Sequence, residues 1–125
     1  MGEFLAKLDP KIVDGNYWIC TIKTHSEVPE NAIATFKEEK GISIILKQET
    51  KPEFECTEAK AMISVGIETP QGAEAFLSKI MSAIAEADDL CTYVYSAYYQ
   101  DHLFVPKEKA EEVIEVLNKL KSRYH

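Results

Sequence analysis

Arginine is almost missing from this chain: Arg123 is the only one among 125 residues, and the formal charge is −7. Nucleic-acid binding depends on clustered lysine and arginine that displace counterions from phosphates, so a nucleic-acid partner is excluded. Long apolar runs are missing too. No stretch approaches the roughly 20 apolar residues of a membrane span. Residues 1–10 interleave Glu3, Lys7 and Asp9 with their apolar positions, unlike a signal or transit peptide. A cytoplasmic protein with no membrane association is expected. Cysteine is scarce: Cys20, Cys56 and Cys91 are widely spaced, odd in number and form no CxxC pair. That pattern predicts thiols in a reducing compartment, with no zinc site and no disulfide framework. Cys20 and Cys91 fall in apolar runs, where a thiol is a small hydrophobe, whereas Cys56 lies in a polar stretch and is expected to be the most exposed and reactive.

What is present is an ordinary globular composition, 46% apolar and 28% charged, at a length that buries enough surface to fold without metal or disulfide. No cofactor is therefore required. In the first half, Phe4, Leu5 and Leu8 form a short helical turn that Asp9-Pro10 ends. Asp14-Gly15-Asn16 has turn composition, and residues 17–23 are rich in aromatic and β-branched side chains that suit a strand. Residues 32–36 read as a short strand, 37–41 as a charged turn and 42–47 as a clear strand. Residues 48–58 are polar, contain Pro52 and read as a linker between halves.

The second half has stronger periodicity. Residues 61–67 read as a strand, and Thr69-Pro70 as the N-cap and first position of a helix. Ala73, Phe76, Leu77, Ile80, Met81, Ile84 and Ala87 recur at three and four, which puts one apolar stripe against a sheet. Residues 91–99 alternate as a long strand, Gln100-Asp101 leaves room for a turn, and residues 102–105 return antiparallel. Pro106 opens a last helix with Ala110, Val113, Ile114, Leu117 and Leu120 on its apolar face. This β-α-β-β-α order predicts an α+β fold, a ferredoxin-like two-layer α/β sandwich. The chain is expected to divide into a strand-rich N-terminal half, 1–58, and a C-terminal βαββα unit, 59–125. The sheet edge left open needs cover from a first-half strand, 17–23 or 42–47, or from another subunit.

Three segments carry a family resemblance: Gly15-x-Tyr17-Trp18-x-Cys20-Thr21, then Ala34-Thr35-Phe36-Lys37-Glu38-x-x-Gly41-Ile42-Ser43, then Tyr98-Tyr99-x-Asp101-His102-Leu103-Phe104-Val105-Pro106. Together the chain resembles the small stand-alone tandem ACT-domain proteins over nearly its whole length. That resemblance implies an ACT-like, ferredoxin-like fold and a regulatory role through binding an amino acid or similar small molecule, without catalysis. In better-understood ACT modules a glycine often sits in the loop between first strand and first helix, at the ligand site. Here that loop is Glu68-Thr69-Pro70-Gln71-Gly72, and Gly72 takes that place.

The same loop has a physical rationale as a site. A helix start at Thr69–Gly72 directs free N–H groups at a carboxylate, and Glu68 is placed to hold an ammonium. An ordinary capped helix explains the same residues. Asp101-His102, expected in the hairpin turn, resembles a carboxylate-oriented imidazole. Adjacent strand residues point to opposite faces, however, and a turn Asp bonding local backbone is the simpler account. No metal site follows, since His25 and the cysteines lie elsewhere at no ligand spacing. Tyr93, Tyr95 and Tyr99 are expected on one sheet face, covered by first-half strands or a second subunit. A homodimer is expected. The alternatives to ligand binding are an interaction module with no ligand and a small enzyme using Asp101 and His102.

Overall fold

The computed structural model describes residues 2–68, 74–90 and 92–124. Its organising element is β1, Lys11–Ile22, twelve residues long. One edge of β1 pairs antiparallel with β3, Ile42–Lys47, from Tyr17↔Lys47 to Ile22↔Ile42. Two strands share the other edge. β5, Lys60–Ser64, pairs with the first part of β1, and the two-residue β4, Glu55–Cys56, pairs with Cys20 and Thr21 further along. Beyond β3 lies β2, Ala32–Lys37, and beyond β5 lie β7, Asp101–Pro106, and β6, Tyr93–Ser96. The order is β2-β3-β1-β5-β7-β6, with β4 beside β1, and every pairing is antiparallel.

This architecture corrects the expected fold. The described residues form one seven-stranded antiparallel sheet curled into a half-barrel, not a ferredoxin-like (ACT-like) two-layer sandwich or a tandem pair of such units. The physical reason lies in β1. Asp14-Gly15-Asn16 has the composition of a turn, yet Val13 and Tyr17 on either side of it both pair with β5. The register shifts between them, and Gly15 takes a positive φ of 116°. The segment is therefore a β-bulge, which raises local twist and bends the strand without ending it. A strand long enough to serve both halves merges their strands into a single curved sheet.

Among the described residues, three helices cover the outer face of the sheet's C-terminal part. They are α1, Gly2–Leu5, α2, Glu74–Ala87, and α3, Ala110–Ser122. Leu5 and Leu8 from the α1 segment, Phe76 and Ile80 from α2, and Val113 and Leu117 from α3 close on Ile63 and Leu103 in one buried cluster. Each such side chain, fully buried, stabilises the fold by about 1.5–3 kcal/mol. Trp18, Ile22, Ile44 and Leu46 extend this face toward the N-terminal strands, under Val28 and Phe54.

Several local expectations are also revised. The polar stretch 48–58 contributes β4, and a disulfide joins Cys20 to Cys56, so neither residue is the free thiol expected. Cys20 is buried and faces Cys56 directly across the β1–β4 ladder, which the spacing of cysteines in sequence did not reveal. Cys91 lies outside the described residues. β6 stops at Ser96, and a loop closed by Ala97 N donating to Gln100 O (3.2 Å) carries Tyr98 and Tyr99. Pro106 ends β7, and a short 3₁₀ turn, Lys107–Lys109, precedes α3. Among the described residues no helix is long and apolar enough to cross a membrane.

Candidate functional site

Side chains alternate between faces along a strand, so the residues that point away from the helices can be followed from register. Tyr93, Phe104, Met62 and Val13 form one row across β6, β7, β5 and β1, and Tyr95, His102, Ser64 and Lys11 form the next. Lys60 stands opposite Tyr17, and Ile45 opposite both Ile19 and Ala34. Tyr17, Ile45 and Phe104 make a small buried cluster on this inner face, with the Tyr17 and Phe104 rings edge to face at 5.9 Å.

Because the sheet curls, its edge strands β2 and β6 approach one another across the inner face without pairing. Between them lies a cleft of about 380 Å³, walled by Phe36 and Ala34 on one side and Tyr93 and Tyr95 on the other, over Ile19 and Ile45. A second lobe of about 210 Å³ adjoins it and brings in Met62 and His102. Ala34, Ile45, Tyr95 and Phe104 line both lobes. A few hundred cubic ångströms of apolar wall with a few polar groups is the usual form of a small-molecule site.

The polar groups are few and well separated. At one end Ser43 Oγ donates to the Glu38 carboxylate, an exposed group at the cleft's rim. His102 lines the second lobe, and its Nδ1 is buried with no hydrogen-bond partner among the described residues. Buried polar atoms are nearly always paired, because leaving one unpaired costs about 1–3 kcal/mol. Lys60, only 7% exposed, lines neither lobe, and its Nζ lies 5.4 Å from the centre of the Tyr93 ring. Tyr17 is buried, and its hydroxyl donates to Asp14 O at 2.8 Å. Burial first, and the Asp14 carboxylate second, push its phenol above the ordinary value.

The fold recurs in proteins of known structure. A protein of unknown function from Vibrio cholerae, described as a possible transport protein, superposes with a TM-score of 0.74 at 27% identity, covering 96% of this chain and 94% of its own. A protein from Agobacterium tumefaciens superposes with a TM-score of 0.76 at 16% identity, covering 91% and 89%. No protein-family model matches the chain, and no curated protein matches it by sequence.

The residues singled out in the sequence are distributed unevenly around this cleft. Thr69, Pro70, Gln71 and Gly72 lie outside the described residues, and Glu68 is exposed after β5. Asp101 and His102 open β7 instead of occupying the hairpin turn. His102 faces the cleft, while Asp101 has the opposite parity and lines neither lobe. Tyr93 and Tyr95 share the inner face as their alternation predicts, and first-half strands curl over them. Tyr99 is separated from them in the exposed loop. Lys60, Ala34 and Ile45 carried no chemical signal in the sequence. A lysine at the start of a strand reads as a solvated end, and only its register opposite Tyr17 places it on the inner face.

Proposed function

We propose that this chain is a binding protein without catalytic activity, which takes a small molecule into the inner-face cleft and acts through regulation or interaction. The observation that carries the proposal is the buried Nδ1 of His102, which has no hydrogen-bond partner among the described residues and belongs to a side chain that lines an otherwise apolar lobe. A ligand with an apolar body and one hydrogen-bonding group satisfies that atom while covering Ile45, Phe104 and Tyr95. An amino acid or a close chemical relative is the proposed ligand class. The description of the Vibrio cholerae neighbour as a possible transport protein is in keeping with ligand carriage. Against an enzyme that uses Asp101 and His102 together stands their opposite strand parity.

A melting screen over amino acids, nucleotides and small organic acids tests this. A ligand at 100 times its dissociation constant stabilises the protein by about 2.7 kcal/mol. The shift should vanish in Ala34→Phe, which fills the junction of the two lobes. No shift at millimolar concentrations, or an equal shift in the filled variant, removes the cleft as the site.

A second reading rests on the edge strand β2, which among the described residues pairs only with β3 and where Ile33 and Phe36 are 48% and 65% exposed. Exposed apolar side chains on an unpaired edge invite pairing with a second copy, and a homodimer is the proposed assembly. Light scattering should give a dimer that Phe36→Lys converts to monomer; a monomeric wild type at high micromolar concentration removes this reading. Cytoplasmic residence is proposed from composition, and in that reducing compartment Cys20 and Cys56 should be recovered as thiols, whereas their disulfide points to an oxidising one. Thiol alkylation at the moment of cell lysis tests that directly.

A further inference from the structure

We propose that the ligand of the cleft is a small organic ammonium, an amine with an aromatic or branched apolar body, its cationic group held by Glu38 at the Phe36 end of the first lobe. This inference rests on the cleft being the binding site and adds a charge at the end away from His102. Phe36, Tyr93, Tyr95 and Phe104 line the first lobe together with one carboxylate, Glu38. Among the described residues no lysine or arginine lines either lobe. The faces of aromatic rings attract cations, alkylated ammonium groups above all, and offer nothing to an anion. Aromatic walls with a single acidic group at the mouth therefore select a monocation that also has apolar surface to bury.

Local geometry fixes where the cation lies. Phe36 on β2 stands opposite Ser43 on β3, and Ser43 Oγ donates to one oxygen of the Glu38 carboxylate. That bond holds the carboxylate at the Phe36 end and leaves its second oxygen to a ligand. Glu38 takes no part in the ion pairs formed among the described residues, Lys11–Asp9, Lys109–Asp88 and Lys109–Glu112. Its neighbours Lys37 and Lys40 line neither lobe, and Lys37 has the opposite strand parity to Phe36. Lys60 also lines neither lobe, but its Nζ already lies 5.4 Å from the centre of the Tyr93 ring. Repulsion from that ammonium keeps a ligand's cation away from Tyr93 and at the Phe36 end, with the apolar body over Ile45, Tyr95 and Phe104. An anion in the same lobe would face the Glu38 charge with no lining cation to answer it, and the chain's −7 opposes its approach while favouring a cation.

The test uses intact protein and three probes of nearly equal shape, phenethylamine, phenethyl alcohol and 3-phenylpropionate, in calorimetric titrations. Glu38 is exposed at the rim, so solvent and salt screen part of its attraction. The amine should still bind about tenfold more tightly than the alcohol, with the carboxylate weakest. In Glu38→Gln the ratio of amine to alcohol affinity should fall severalfold. An alcohol or a carboxylate that binds wild type as tightly as the amine overturns the inference but leaves the cleft as a binding site. A full tenfold ratio retained in Glu38→Gln overturns it as well. Failure of all three probes to bind wild type at millimolar concentration overturns this inference, and if Ala34→Phe also leaves every melting shift unchanged, the cleft reading falls with it. The probe comparison on wild type needs no variant, so a poorly folded Glu38→Gln does not block the test.

Discussion

Cys20 on β1 and Cys56 on β4 stand directly opposite each other and are joined by a disulfide that closes a segment of 36 residues. β4 has only two residues and seals the part of the β1 edge that β5 does not reach. In the chain-entropy account a loop of this length stabilises the fold by about 3–4 kcal/mol. Urea unfolding with and without reductant should differ by that amount, and Cys56→Ser should match the reduced wild type. Identical midpoints in all three samples contradict the bond's contribution.

Gly66 follows β5 with a positive φ of 79°, and a Cβ there would lie 2.2 Å from the backbone oxygen of Asp9. The same junction is tied by Asp9 N donating to Val65 O at 3.0 Å. Gly66→Ala should therefore cost more than the roughly 1–2 kcal/mol of left-handed backbone alone. At Gly15, the close neighbour of an added Cβ is the flexible Lys47 side chain, so Gly15→Ala should cost less. Denaturant midpoints of the two variants decide the order. A milder effect at Gly66 contradicts the packing of the α1 segment against β5.

Tyr17 makes stability fall at alkaline pH. Its phenol is raised above 10.0 in the folded protein, by burial and then by Asp14, whereas the unfolded chain ionises near 10.0. Above that pH the unfolded state releases a proton that the native state retains, so stability is full below about pH 10 and is lost as pH climbs through the raised native value. Melting temperatures from pH 8 to 11 should decline more steeply for wild type than for Tyr17→Phe. The variant also loses about 1 kcal/mol at neutral pH with the hydrogen bond to Asp14 O. Parallel alkaline declines contradict the assignment.

Much of the local structure was legible in the sequence, because it follows from side-chain period. The stripe Phe76, Ile80, Ile84 lies buried on α2, and the run from Ile42 to Lys47 is β3 with the expected bounds. The architecture was not legible, because Asp14-Gly15-Asn16 has the same composition whether it ends a strand or bulges within one. Pairing on both sides of it with a distant segment decides between the two outcomes, and no local window contains that information. The cleft was half legible. Tyr93, Tyr95 and His102 attracted notice for their chemistry, but the opposite wall, Ala34 and Ile45, consists of ordinary strand residues whose meaning comes from curvature alone.

The central claim, that the inner face of the curled sheet is a binding site, is tested most directly by methyl NMR. Labelled alanine and methionine methyls would be followed while a mixture of small carboxylates, amines and neutral aromatics is added. The methyls of Ala34 and Met62, which line the cleft, should shift together, while that of Ala110, buried beneath the helices, stays in place. Shifts confined to the helical face, or no shift at any methyl, contradict the account.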